Sequence, residues 1–372
     1  MEQGISIIIP TKGRFDYVKE MVLSLVLAVK HSHEPVQIII VDASSEKEAE
    51  HIKILCEENC IDYFHLVESA SEARNFGIKQ AKFPIILFVD SDCKVDLKIF
   101  EEHLKGYNNI NIGGCAGITE FVGEKTTAST MTEMMPFMNP FNSAKNVEYV
   151  GWGPTSNISF RRDILNKVNG FSSFLPPKEG GEDVDLGYRI QQLGYKIKCN
   201  PNAIVYHSRN ALRGWRGLLE RSFRWGRAES YLLSSHPNHT FLDIPKSPLF
   251  FWSFFVITFI VSFITHSFIL ILIPFLFVFL FTFFLTIFTF LQVSNKNSKK
   301  CFIYMFISII MNFIYETGLI FECIYRRKIN LMFYSFIYEQ KQFYDRWYEG
   351  KIKTWSYVIS FLILFVILAY LF

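Results

Sequence analysis

No CxxC pair occurs in this sequence, and its seven cysteines are dispersed along 372 residues, with Cys56 and Cys60 the closest two. An odd, scattered set excludes both a disulfide framework and a structural zinc site, leaving small buried hydrophobes in a reducing compartment. An excess of charge of one sign is lacking too. The 38 Lys and Arg against 35 Asp and Glu leave +3, too little to hold a nucleic acid. There is no internal repeat and no low-complexity linker. Residues Met1 to Ser6 include Glu2 and no apolar core, so no secretory signal is expected.

What is present divides the chain unevenly. From Ser247 to Asn295, 49 residues pass without an Asp, Glu, Lys or Arg. A helix crosses a hydrocarbon layer of roughly 30 Å with about 20 residues, so this run suffices for a hairpin of two crossings. A further uncharged stretch, Thr354 to Phe372, is 19 residues long. Segment 301–324 is also apolar, but Ser308, Asn312 and Glu316 share one face of it. If it crossed, Arg326, Arg327 and Lys328 would lie outside, against the positive-inside rule. The expected spans are therefore about 249–265, 268–293 and 354–372, with 301–324 interfacial, re-entrant or a fourth span. Residues 1–235 are expected to form a domain outside the membrane and 236–372 a membrane region.

The first 120 residues alternate short β-branched runs with amphipathic stretches. Strands are predicted at Ile5 to Ile9, Val36 to Val41, Ile61 to Val67 and Ile85 to Val89, and helices at Phe15 to Lys30, Glu46 to Glu57 and Ser71 to Ala81. Such a β-α alternation makes a mostly parallel sheet covered by helices, and ligands bind beyond the carboxyl ends of its strands. Polar residues gather there: Thr11 and Arg14, then Asp42, then Asp90 and Asp92. Further on, Gly151 to Phe160 reads as a loop, Glu182 to Leu193 as a helix, and Tyr195 to Cys199 and Ala203 to Tyr206 as strands.

The fourth strand ends in Asp90-Ser-Asp92, two carboxylates on one tight turn. Hard oxygen ligands so placed suit Mg²⁺ or Mn²⁺ carrying phosphate oxygens. His207, at a strand end, reads either as a structural histidine or as a further ligand. Trp152, in the loop GWGP, reads either as a core tryptophan or as part of a ligand pocket that the flanking glycines let the backbone approach.

Several motifs recur in order: SIIIPTKGR at Ser6 to Arg14, IIIVDASSE at Ile38 to Glu46, SEARNFGI at Ser71 to Ile78 and ILFVDSDC at Ile86 to Cys93. GWGPTSNISFRRDIL follows at Gly151 to Leu165, then VNGF at Val168 to Phe171 and GEDVDLGYRIQQLGYKI at Gly181 to Ile197. Over roughly the first 235 residues this resembles the family 2 glycosyltransferases. The resemblance implies a GT-A fold, an α/β Rossmann-like domain of mostly parallel sheet, here followed by membrane helices. It further implies a nucleotide-sugar donor, UDP- or GDP-linked, with Thr11, Asp42 and Arg74 at nucleotide-contacting positions and Asp90, Asp92 and His207 about the metal. The family often has paired acids after the second strand; here Ala43 follows Asp42. Asp183, the second residue of Glu-Asp, falls on the general base, with Glu182 orienting the pocket or acceptor and Asp185 the spare acid.

RSFRWGRA at Arg221 to Ala228 resembles the QxxRW motif of membrane-embedded synthases, with Arg221 in the Gln position. There Arg224 would face diphosphate and Trp225 would stack on acceptor sugar. The competing reading is an Arg/Trp belt beside the bilayer. The expected function is inverting transfer from a nucleotide sugar to a lipid-linked or surface-glycan acceptor, by a multi-pass membrane protein whose catalytic domain is cytoplasmic. The alternatives are an inactive scaffold of a glycan-assembly complex and an aspartyl phosphatase. The second fits poorly, since Cys93 and Lys94 follow Asp92 where that chemistry wants Thr or Val two residues on.

Overall fold

A computed structural model of the protein describes residues 4–134, 140–176, 179–212, 214–243, 246–292, 299–338 and 352–366. The chain forms two compact units, Met1–Gly214 and Trp215–Phe372. The division falls ahead of the Arg/Trp-rich helix, which clusters with the apolar helices.

In the first unit the expected alternation appears as β1 (Ile5–Thr11), α1 (Phe15–His31), β2 (Val36–Asp42), α2 (Glu46–Glu58), β3 (Asp62–His65), α3 (Ala70–Gln80) and β4 (Ile85–Phe88). There follow β5 (Cys93–Val95), α4 (Ile99–Leu104), β6 (Ile112–Val122), α5 (Thr127–Met134), β7 (Tyr149–Val150), β8 (Ile158–Arg161), α6 (Arg162–Lys167), α7 (Glu182–Gln192) and β9 (Lys196–Ser208). The sheet order is β3-β2-β1-β4-β8-β6-β9-β5. β1, β2, β3 and β4 run parallel, β8 is antiparallel to both β4 and β6, and β6 is parallel to β9. The carboxyl ends of β1, β2, β4, β6 and β9 therefore share one edge.

Successive residues of β1 enter opposite cores because side chains alternate across a strand. Ile5, Ile7 and Ile9 pack with Val18, Met21 and Leu25 of α1, while Ile8 packs with Ala73 and Ile78 of α3. At about 2 kcal/mol for each fully buried aliphatic side chain, this two-sided burial explains a strand that is apolar on both faces, with the buried Ser6 hydroxyl donating to Gln37 Oε1 at 2.8 Å. Two expectations change. The strands read at 195–199 and 203–206 are one strand, β9, with residues 200–203 skipped in its pairing to β6, where Pro201 cannot donate to a ladder. Ile158 to Phe160, read as the end of a loop, belong to β8 (Ile158–Arg161), the strand that joins β4 to β6.

The second unit holds α8 (Trp215–Ser235), β10 (Thr240–Leu242), α9 (Ser247–Thr265), α10 (Ile273–Gln292), α11 (Lys299–Tyr325), β11 (Tyr334–Phe336) and α12 (Ile352–Val366). Ser247–Thr265, Phe268–Phe288 and Phe306–Tyr325 are long and apolar enough to cross a membrane. Segment 301–324 is thus part of one continuous helix. The ends of the expected spans, residue 293 and residues 367–372, lie outside the described residues. α8 and α11 approach closely at Gly226 and Gly318, where an added Cβ would meet Tyr315 O and Phe223 O. Beside this crossing Arg227 Nε donates to Glu322 Oε2 at 2.7 Å and Tyr231 Oη to Glu322 Oε1 at 2.8 Å, so the buried acid is fully engaged.

Candidate active site

Helix α3 begins with a reciprocal cap. Glu72 N donates to Ser69 Oγ, and Ser69 N donates to Glu72 Oε2. This fixes the first turn and with it Arg74, which is only 4 % exposed. Arg74 Nη2 donates to Asp90 Oδ1 and Nη1 to Glu182 Oε1, both at 3.1 Å. Its guanidinium lies 5.5 Å over the Phe171 ring. Asn75 holds Phe171 by its backbone, donating to Phe171 O at 2.8 Å and accepting from Phe171 N at 2.7 Å. One buried arginine thus joins the acid after β4 to the acid that opens α7.

Asp92 faces a different set. Arg14 Nη1 is 3.3 Å from its Oδ2 and His207 Nε2 3.4 Å from its Oδ1. The antiparallel pairing of β5 with β9 sets Cys93 opposite His207, and ligand atoms of Asp92, Cys93 and His207 lie within 4.8 Å of one another. Burial, with Asp90 and Asp92 adding to it, pushes the Cys93 thiol well above its usual range, so it stays protonated. The carboxylate and imidazole that remain form a donor pair that fits a hard to borderline divalent cation. Asp90 is engaged by Arg74, and the converging group is Asp92, Cys93 and His207.

Two residues nearer the start of the edge differ in what they have free. Thr11 Oγ1 is buried with no hydrogen-bond partner among the described residues, an omission worth roughly 1–3 kcal/mol that a phosphate or ribose oxygen would relieve. Asp42 is fully buried and already engaged. Ser44 N (2.9 Å) and Ser44 Oγ donate to its Oδ1, and Tyr63 Oη donates to its Oδ2 at 3.0 Å.

Helix α7 starts at Gly181, whose φ of 91° turns the chain into the helix. Asp185 is taken up by Ser172 Oγ at 2.6 Å and Arg189 Nε at 2.8 Å. Asp183 is half-buried and accepts from Val184 N at 2.8 Å. Burial first, then the neighbouring Glu182, push its carboxyl up to about 8, with Arg74 opposing. Gly187 brings the helix onto the loop before β8: an added Cβ would lie 2.5 Å from Gly151 O and 2.6 Å from Trp152 Cβ. Trp152 is buried against it, 9 % exposed.

The first unit therefore brings together Thr11, Asp42, Arg74, Asp90, Asp92, Trp152, Glu182, Asp183 and His207 along or next to one sheet edge. Arg224 and Trp225 belong to α8 in the second unit, where Arg224 is exposed and the Arg221 guanidinium lies 5.8 Å over the Trp225 ring. Sequence reasoning assigned no role to Asn75, Phe171 or Cys93, although all three stand inside the recurring motifs.

Residues 6–169 match the family model "Glycosyl transferase family 2". A pre-mycofactocin glycosyltransferase of Mycobacterium tuberculosis (strain ATCC 25618 / H37Rv) is 24 % identical over 248 residues, 64 % of this chain and 49 % of that protein. A poly-β-1,6-N-acetyl-D-glucosamine synthase of Staphylococcus aureus (strain MW2) is 23 % identical over 232 residues, 60 % of this chain and 54 % of that protein. The chain spans about half the length of these curated relatives. A mannosyltransferase from Pyrobaculum calidifontis, solved with GDP-Man and Mn²⁺, aligns with 14 % identity and a TM-score of 0.49 over 64 % of this chain and 65 % of that one.

Proposed function

We propose that this chain, whose residues 6–169 match the family model "Glycosyl transferase family 2", is a glycosyltransferase that carries out an inverting, metal-assisted transfer of sugar from a nucleotide-sugar donor to a membrane-associated glycan or lipid-linked acceptor. The observation that carries this reading is the chain Asp90–Arg74–Glu182 with Asp183 beside it, because it couples a phosphate-side turn to a proton acceptor. Donor diphosphate lies along the strand ends, with the Thr11 hydroxyl and the Arg14 and Arg74 guanidinium groups toward it. Asp92 and His207 would hold a divalent cation, whose charge offsets that of the departing diphosphate.

Asp183 takes the proton of the acceptor hydroxyl as that oxygen bonds to the anomeric carbon. The bond to the diphosphate breaks from the opposite face with its electron pair, so configuration inverts. A carboxylate with its pKa raised toward 8 is a better proton acceptor than an ordinary aspartate, and neutral acceptor and protonated base suit a half-buried site. Glu182, held by Arg74, orients the acceptor side, and Asp42 holds the loop after β2 beneath the donor's nucleobase.

The membrane unit supports three crossings, α9, α10 and α12. Ser247 N at the start of α9 and Lys353 Nζ at the start of α12 both donate to Glu316, each at 2.8 Å. Phe250 lies 4.8 Å from Tyr357 and Phe254 lies 5.9 Å from Phe361, so the two helices run parallel from one level. A chain that leaves by α9 and starts again beside it for α12 returns once in between. The more apolar Phe268–Phe288 segment makes that return, and α11, with Glu316 and Glu322 paired to cations, stays on the starting side. That side is the cytoplasm, where nucleotide sugars are available. Donor turnover by the purified full chain with Mn²⁺ tests the reading: Asp183→Asn is expected to slow transfer by at least ~10²-fold with donor affinity little changed. Near-wild-type turnover by that variant refutes it.

A further inference from the structure

We infer that a pocket of the first unit, at the carboxyl ends of β6 and β9, receives a neutral sugar ring of the acceptor, an assignment that rests on Asp183 being the base that activates it. The pocket has a volume of about 290 Å³ and is lined by Glu120 and Phe121 of β6, Glu133 of α5, Asn142, Lys145 and Arg209. It adjoins the metal-side group directly. The Phe121 ring lies 5.3 Å from the His207 ring, and His207 is the residue that meets Asp92.

Its chemistry separates the ligand classes. Arg209 Nε and Nη2 donate to the two oxygens of Glu133, at 2.5 and 3.3 Å, while Arg209 Nη1 donates to Gly123 O at 2.9 Å. Lys145 Nζ lies 3.4 Å from Glu120 Oε1. Two acids and two bases cancel. A phosphate needs a net positive pocket and a cation a net negative one, and neither is offered. Paired carboxylates and cations beside the Phe121 ring, which itself packs on Phe141 and His207, suit vicinal hydroxyls and the C–H groups of a pyranose. The volume is at the low end of ligand pockets, roughly 300–1,000 Å³, which admits a sugar ring and not a whole nucleotide sugar. Thr119, which also lines the pocket, is tied to the loop before β8 by the hydrogen bond between its Oγ1 and Ser156 Oγ at 3.1 Å.

Methyl glycosides of glucose, galactose, mannose and N-acetylglucosamine serve as surrogate acceptors for the full chain in detergent, with Mn²⁺ and the donor it turns over. Asn142→Trp, which fills the pocket, and Lys145→Ala, which opens one wall, are each expected to raise KM for the preferred glycoside at least tenfold while KM for the donor stays within twofold. Asp183→Asn instead lowers kcat and leaves the glycoside KM in place. An unchanged glycoside KM in both pocket variants overturns the assignment, as does failure of every glycoside to accept sugar from an enzyme that hydrolyses donor. An enzyme that hydrolyses no donor overturns the proposed function first, and the pocket's role with it.

Discussion

A carboxyl group in the first turn of a helix is ordinarily ionised well below neutrality, because helix N-termini favour negative charge. Asp183 departs from that: burial and the charge of Glu182 outweigh the helix and Arg74, and its pKa rises to about 8. The sign of the consequence follows. The base is active when deprotonated, so below pH 8 kcat/KM is expected to climb about tenfold per pH unit and to level off above it, and Asp183→Asn is expected to remove that limb. A flat profile from pH 6 to 9 in the wild-type enzyme contradicts the assignment. The motifs made Asp90, Asp92 and Asp183 legible because each occupies a fixed offset from a strand or helix end. The partnership of Arg74 was not legible. Its two carboxylates lie 16 and 108 residues away, and only the fold brings them together.

At the scale of elements, β1 to β4 could be read from sequence because both faces of each inner strand are buried and the apolar runs are interrupted only by Ser6 and Gln37, which hydrogen-bond to each other. β6 could not. IGGCAGITEFV carries three glycines, which have weak strand propensity and no side chain to mark a face, yet it pairs with two strands at the centre of the sheet. β8 was hidden by the polar loop that precedes it. Helix α11 shows the converse difficulty, since length and hydropathy qualify it to cross while Glu316 and Glu322 tie it to Lys353 and Arg227. Single cysteines introduced in a background without the native ones decide between the two. His266→Cys, after α9, and Arg327→Cys, after α11, are expected to react with an impermeant maleimide from opposite sides. Labelling of both from the same side means four crossings and contradicts the three-span arrangement.

On the scale of the whole molecule, a sheet edge that collects acids, arginines and a histidine stands in one unit, and a bundle of apolar helices with internally paired charges forms the other. Composition alone had separated these two parts, because 49 uncharged residues cannot belong to a soluble core of this size. What composition could not supply was the boundary, since α8 is amphipathic and its placement depends on packing with α11 at the Gly226–Gly318 crossing. The central claim is a single in-line displacement with Asp183 as base. Proton NMR of the glycoside formed by the full chain from a donor of known anomeric configuration tests it most directly. The account predicts a product of the opposite configuration from the first turnover onward; a product that retains the donor's configuration would contradict it.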